Sequence, residues 1–259
     1  MQYYQMTGFM EGDRPKPEVA LRLPDPSAAS LLLDFDGTLV EIADRPDGVH
    51  VPDAVPALLA RAMDRLDGRV VLVSGRSVAS LEGFLPGFKG TLIGSHGAER
   101  RVAGETSHVA EFDLKTVERL QRIVGDFADL QPAFLVEPKP TGVVLHFRQA
   151  QEHGAEALHF MDSLAQAAPG FRLQPALCAY ELKPDTVGKD IALHALFEDA
   201  PFAGTTPIYA GDDLTDEPAL DWAASQGGVG IKIGDAETTA AHRLPGPDAL
   251  RERLERWLA

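Results

Sequence analysis

The sequence predicts an α/β protein, a parallel sheet with helices on both faces, interrupted once by a smaller α+β module. Short, continuously apolar runs, among them Leu31-Leu32-Leu33, Val70 to Val73 and Pro207 to Ala210, have the length and composition of strands buried on both faces. Segments with apolar residues at helical spacing alternate with these runs. From about Gly104 the rhythm gives way to helix, strand, strand, helix, strand, strand, the order of a compact α+β layer. A chain of 259 residues with 44% hydrophobic content is long enough for one sizeable core and such an insert.

The first 27 residues, with Pro15, Pro17, Pro24 and Pro26 and no apolar stretch of signal-peptide type, read as a tail of low order. Leu31 to Leu33 make the first strand. Val55, Leu58, Leu59, Ala62, Met63 and Leu66 then mark one face of a helix that starts near Pro52-Asp53. Val70 to Val73 is the second strand, a helix runs from about Ser77 to Phe84, and Thr91 to Gly94 is the third strand. In the insert, Leu114, Val117, Leu120, Val124 and Phe127 mark an amphipathic helix, followed by strands Ala133 to Glu137 and Gly142 to Arg148. A helix over roughly 152–168 and strands Phe171 to Gln174 and Leu177 to Leu182 complete it. The main layer resumes with a helix opened by Lys189, a strand Pro207 to Ala210, a strand Val229 to Ile233 and a last helix carrying Leu250, Leu254, Trp257 and Leu258. Residues 28–103 and 183–259 thus form the core domain and 104–182 the insert.

Alternation within the insert sorts its residues by face. Val143, Leu145 and Phe147 share one side, expected to pack on the helices, while Val144, His146 and Arg148 share the other. By the same parity Glu137 and Glu181 stand on the open side, and Pro138 leaves the direction of Lys139 undecided. Such a polar face is commonly a solvated surface.

A net charge of −15 and a sequence pI near 4.9 argue against nucleic acid and anionic membranes as partners. No segment approaches the ~20 apolar residues of a membrane span, and no internal repeat is evident. The single cysteine, Cys178, allows no internal disulfide and reads as a small core residue. A cytoplasmic protein is expected.

The chemistry-bearing residues fall at strand ends. Asp34-Phe35-Asp36-Gly37-Thr38 directly follows the first apolar run. Two carboxylates one residue apart, followed by Gly-Thr, suit a chain that turns tightly so that both acids converge on a cation and a phosphate. An Asp-rich turn bent at Gly37 would give the same string. Ser74-Gly75-Arg76 ends the second apolar run, Lys189 opens a helix, and Gly211-Asp212-Asp213-Leu214-Thr215-Asp216 ends the fourth. Asp213 and Asp216 also suit a helix start, with Thr215 and Pro218 beside them.

These four strings, in this order, resemble the signatures of the haloacid dehalogenase-like (HAD) phosphohydrolases. The resemblance implies a Rossmann-like HAD core with a C2-type cap. It also implies Asp34 as nucleophile, Asp36 as general acid and base, Ser74 and Lys189 on the phosphoryl group, and Mg²⁺ held by Asp34, the backbone carbonyl of Asp36 and Asp212, supported by Asp213 and Asp216. Within that superfamily, Gly94-Ser95-His96-Gly97-Ala98-Glu99, Glu137-Pro138-Lys139, His146-Phe147-Arg148 and Glu181-Leu182-Lys183-Pro184 resemble the motifs of trehalose-6-phosphate phosphatases. That similarity runs from about Leu31 to Lys232 and implies a phosphorylated disaccharide as substrate. Gly75, Arg76, His96, Glu137, Lys139, His146, Arg148 and Glu181 are then expected around the substrate. The chain departs from the pattern at Asp190, where the family usually has Gly. Phosphatases of sucrose phosphate or mannosyl phosphoglycerate, and sugar phosphomutases, remain alternatives. Oligomeric state is not legible.

Overall fold

The computed structural model describes residues 21–43, 45, 48–108, 113–139, 141–176 and 178–259. Most of the expected N-terminal tail, and Leu177 at the start of an expected strand, lie outside the described residues.

In chain order the first elements are β1 (Ala29–Asp34), α1 (Ala54–Arg65), β2 (Val70–Val73), α2 (Val78–Phe84), β3 (Thr91–Gly94), β4 (Glu99–Val102) and β5 (Glu105–His108). The insert contributes α3 (Leu114–Ala128), β6 (Leu135–Lys139), β7 (Gly142–His146), α4 (Gly154–Gln166), β8 (Phe171–Ala176) and β9 (Ala179–Pro184). The chain then returns through α5 (Lys189–Leu196), β10 (Thr206–Gly211), α6 (Glu217–Ser225), β11 (Val229–Ile233), β12 (His242–Leu244) and α7 (Pro247–Trp257).

Among the described residues the main sheet runs β12-β11-β10-β1-β2-β3-β4-β5, parallel from β12 to β3 and antiparallel beyond. Its parallel strands are buried on both faces because successive side chains point to opposite sides. Leu31 and Leu33 pack with Leu58 of α1, Leu81 of α2 and Leu250 and Leu254 of α7. Leu32, between them, packs with Leu193 of α5 and Leu220 of α6. Burying each such leucine contributes about 1.5–3 kcal/mol, and a one-residue slip of β1 would exchange the two sets.

Strand order reverses at β1 and β10, which lie side by side while their connections lead to opposite halves of the sheet. A crevice opens at the carboxyl ends of such strands. The chain leaves β1 at Asp34 and β10 at Gly211, so the sheet itself brings the first and last acidic strings together.

The insert forms a second sheet, β6-β7-β9-β8, wholly antiparallel. Val143, Leu145, Tyr180 and Leu182 lie on the side packed by Leu120 and Val124 of α3 and Ala157 and Met161 of α4. The opposite side carries Glu137, Val144, Glu181 and Gln174 in one row across the four strands. Lys139 pairs with Gly142, so Pro138 does not turn it out of register.

Several expectations shift. The polar hairpin β4–β5 prolongs the main sheet past Gly104, and β9 keeps the smaller sheet going to Pro184. Strand β7 stops at His146, which leaves Arg148 in an exposed turn. Leu114, the first residue of α3, is exposed rather than inward. Cys178 is no core residue: it is half-buried in the turn between β8 and β9, with φ 52°.

Candidate active site

At the floor of the crevice Asp34, 4% exposed, receives Lys189 Nζ at 2.7 Å on its Oδ1. Lys189 stands in the first turn of α5 and also donates to Asp216 Oδ1 at 2.6 Å. Tyr209 of β10 donates its hydroxyl to the same oxygen at 2.5 Å, and the backbone N–H of Asp213 donates to Asp216 Oδ2 at 3.1 Å. Both oxygens of Asp216 are therefore engaged. Burial pushes the Asp34 carboxyl well above the usual range, with Lys189 opposing. Burial also works against the charge on Lys189, but Asp216 and Asp34 outweigh it and hold that pKa above its ordinary value. Tyr209, raised by burial and then by Asp216, stays a phenol and a donor.

Asp212 begins the turn after β10. One carboxylate oxygen from each of Asp34, Asp212 and Asp216 lies within 4.8 Å of the others. Gly37, at φ +76°, makes this possible: a Cβ there would sit 2.1 Å from Asp212 Oδ2. Burial, then Asp216 and Asp213, raises Asp212 to about 6. An all-oxygen donor set short of positive charge, with a glycine cradle open beside it, fits a hard divalent cation such as Mg²⁺. Asp216, with both oxygens spoken for, suits orienting Lys189 better than ligation.

The second wall is built from Ser74-Gly75-Arg76 and the loop after β3. Ser74 is buried beside the end of β1, because Asp34 pairs with Val73. Gly75 lies against the His96 ring so closely that a Cβ would meet it at 2.7 Å. Ser95 and His96 both have positive φ, 50° and 55°. Glu99 holds that loop in place, accepting from Ser95 Oγ at 2.6 Å and from the N–H of Val78, the first residue of α2, at 2.9 Å. His96 is kept neutral by burial, then by Lys189, Lys183 and Lys139. Arg76, expected around the substrate, pairs with Asp36, with Nε at 2.7 Å and Nη2 at 2.8 Å from its two oxygens. Its guanidinium also lies 4.8 Å from the Phe84 ring centre.

A cleft of about 590 Å³ separates this wall from the smaller sheet, lined by Gly75, His96, Glu99, Leu114, Glu137 and Lys139 among others. Glu137 pairs with His146 at 2.9 Å. Glu181 and Lys183 are buried on the same side of that sheet. Burial lowers Lys183 to about 8, with Glu181 opposing. No described hydrogen bond or ion pair joins the Arg148 side chain to these residues. Asp190, the departure from the resemblance, stands in the first turn of α5, 4.0 Å from Arg172 of β8. A larger groove of about 720 Å³ beside Leu59, Met63 and Phe88 gathers no comparable set of carboxylates.

Sequence reasoning missed Tyr209, Lys183 and the structural part of Glu99. Lys183 was legible in principle, since it shares Glu181's parity two residues on. The partner of Tyr209 could come only from the fold.

The fold is that of the haloacid dehalogenase-like hydrolases. A B. subtilis hydrolase of that name matches with a TM-score of 0.65 at 16% identity, covering 87% of this chain and 99% of its own. The C-terminal domain of C. albicans trehalose-6-phosphate phosphatase matches with 0.73 at 20% identity, covering 90% and 93%. Sequence narrows the class: the trehalose-phosphatase family profile matches residues 32–247, and the chain belongs to that family of phosphoric monoester hydrolases. The trehalose-6-phosphate phosphatase of Escherichia coli K12 is 35% identical over 216 residues, 83% of this chain and 81% of its own length. The trehalose-phosphate phosphatase of Mycobacterium marinum is 31% identical over 246 residues, 90% of this chain and 61% of its own. Among the described residues no helix is long and apolar enough to cross a membrane.

Proposed function

We propose that this chain hydrolyses trehalose 6-phosphate to trehalose and phosphate through a phosphoryl group carried on Asp34. The observation that carries the reading is the buried pair of Asp34, at the end of β1, and Lys189, at the start of α5, 2.7 Å apart, beside Asp212; the neighbouring cleft has Gly75 and His96 on one wall and Glu137 and Lys139 on the other. Asp34 attacks phosphorus as the bond to the sugar oxygen breaks, and Asp36 gives that oxygen a proton. Asp36 then takes a proton from water, which opens the aspartyl phosphate and releases inorganic phosphate. Ser74 and Lys189 hold the phosphoryl oxygens as their charge develops. Asp36 is half-exposed and held by Arg76, so its turn as an acid begins with release from that pair.

Asp34, the backbone carbonyl of Asp36 and Asp212 would hold Mg²⁺, which supplies charge neutralisation between the nucleophile and the phosphate dianion. The insert from α3 to β9 acts as the cap over the domain of the main sheet. Glu137, Lys139, His146 and Glu181 face the disaccharide with carboxylates that each accept two hydrogen bonds and with cationic or imidazole donors. Closing such a layer keeps bulk water from the acyl phosphate.

Phosphate release from a panel of sugar phosphates, with and without Mg²⁺, tests the reading. Trehalose 6-phosphate is expected to be the preferred substrate, with no requirement for a sugar bisphosphate. Preference for sucrose phosphate, or transfer that needs a bisphosphate, would overturn it. Asp34→Asn is expected to abolish turnover while leaving the fold intact.

A further inference from the structure

Lys232 lies on β11, on the opposite side of the strand from Val229, Ile231 and Ile233. It is 0% exposed. Register explains where it goes. Lys232 pairs with Gly211 at the last position of β10, so it stands beside the turn that carries Asp212. Its ammonium donates to the backbone carbonyl of Asp213 at 3.2 Å and to Glu217 Oε1 at 3.0 Å.

The two peptide groups flanking Asp213 are thereby fixed from opposite directions. The N–H on the Asp212 side goes to Asp216 Oδ2, inside the site, and the carbonyl on the Leu214 side goes to Lys232. Glu217 passes the restraint outward: its Oε2 accepts from Thr238 Oγ1 at 3.0 Å and from the Thr239 N–H at 3.1 Å, on the segment between β11 and β12. A buried ion pair is a weak source of stability, since packed apolar side chains of similar volume commonly do as well. What an apolar side chain lacks is a donor for the Asp213 carbonyl.

We infer that Lys232, seated by Glu217, is a positioning residue that holds the Asp212–Asp213 turn in the geometry needed to bind the divalent cation. The inference rests on the reading of Asp212 as a metal acid. Groups that orient ligating carboxylates are commonly worth about 10–100-fold in metal affinity.

The test is calorimetric titration of the full-length, metal-free protein with Mg²⁺ alone, without substrate, alongside thermal unfolding. Lys232→Met is expected to weaken Mg²⁺ binding about 10–100-fold in a protein that still folds, though at a lowered unfolding temperature because Glu217 loses its partner. The double variant Lys232→Met with Glu217→Gln removes the carboxylate left without its partner and is expected to show the same loss of affinity. Wild-type affinity in a folded variant would overturn the inference, as would failure of both variants to fold, which would assign the pair to stability. A wild-type protein that binds no Mg²⁺ would defeat the parent reading and this one with it. Wild-type binding with an unaltered variant defeats this one alone.

Discussion

Replacing Lys189 by methionine removes the only cation touching Asp34 and Asp216 among the described side-chain pairs, and the structure sets the size of the effect. The lysine is 4% exposed and its two partners 6% and 0%, so neither carboxylate can turn to water. Breaking a buried ion pair by deleting one member costs about 3–5 kcal/mol. For a chain of this length that is roughly 6–20 °C in melting temperature. The loss should depend on pH. Burial already lifts Asp34 above the ordinary carboxylate range, and without Lys189 it rises further. An acid whose folded pKa exceeds its unfolded value binds more protons when folded, so stability recovers as pH falls through the interval between the two. Thermal unfolding of metal-free protein, followed by circular dichroism at about pH 8 and about pH 5, should show a deficit that is large at the higher pH and smaller at the lower. A variant within about 1 kcal/mol of wild type at the higher pH, or a deficit unchanged between the two, would refute the reasoning.

Gly37→Ala should abolish Mg²⁺ binding measured by calorimetry, because its Cβ would lie 2.1 Å from Asp212 Oδ2, while the left-handed backbone adds only about 1–2 kcal/mol of destabilisation. Mg²⁺ affinity should fall as pH drops through about 6, where Asp212 takes up its proton, since the ion binds the ionised carboxylate; affinity independent of pH across that range would count against Asp212. Glu137→Ala and Glu181→Ala should each lower kcat/KM for trehalose 6-phosphate by roughly 10–150-fold, the equivalent of about 1.5–3 kcal/mol for a hydrogen bond to a charged group. Hydrolysis of an aryl phosphate should stay within about threefold of wild type, and equal losses on both substrates would remove the two residues from sugar recognition.

The parts of this fold visible in the sequence are those where one physical signal dominates. β2, β3 and β11 match their expected bounds end to end, because strands buried on both faces carry few polar positions to blur the boundary. β4 and β5, reading Glu-Arg-Arg-Val and Glu-Thr-Ser-His, sit at the sheet edge with little apolar content, and β12 is three residues long. None carries a pattern that distinguishes it from a loop. The site divides the same way. Asp34, Ser74 and Asp212 were legible as strings at strand ends and Lys189 as the opening of a helix, and the fold brings them together. The direction of a long side chain was not legible: Arg76 turns to Asp36, Lys232 turns inward beneath the acidic turn, and Tyr209 reaches Asp216. Each depends on a partner on another element or turn, 7 to 40 residues away, whose position the local pattern does not give.

The central claim is covalent chemistry at one carboxylate. Wild-type enzyme mixed with trehalose 6-phosphate and Mg²⁺, quenched in acid within a single turnover and digested for mass spectrometry, should carry one phosphoryl group on the peptide containing Asp34, with the modification assigned to that residue. Phosphate released during the same interval with no phosphoryl group at Asp34, or with the group on another side chain, would contradict it.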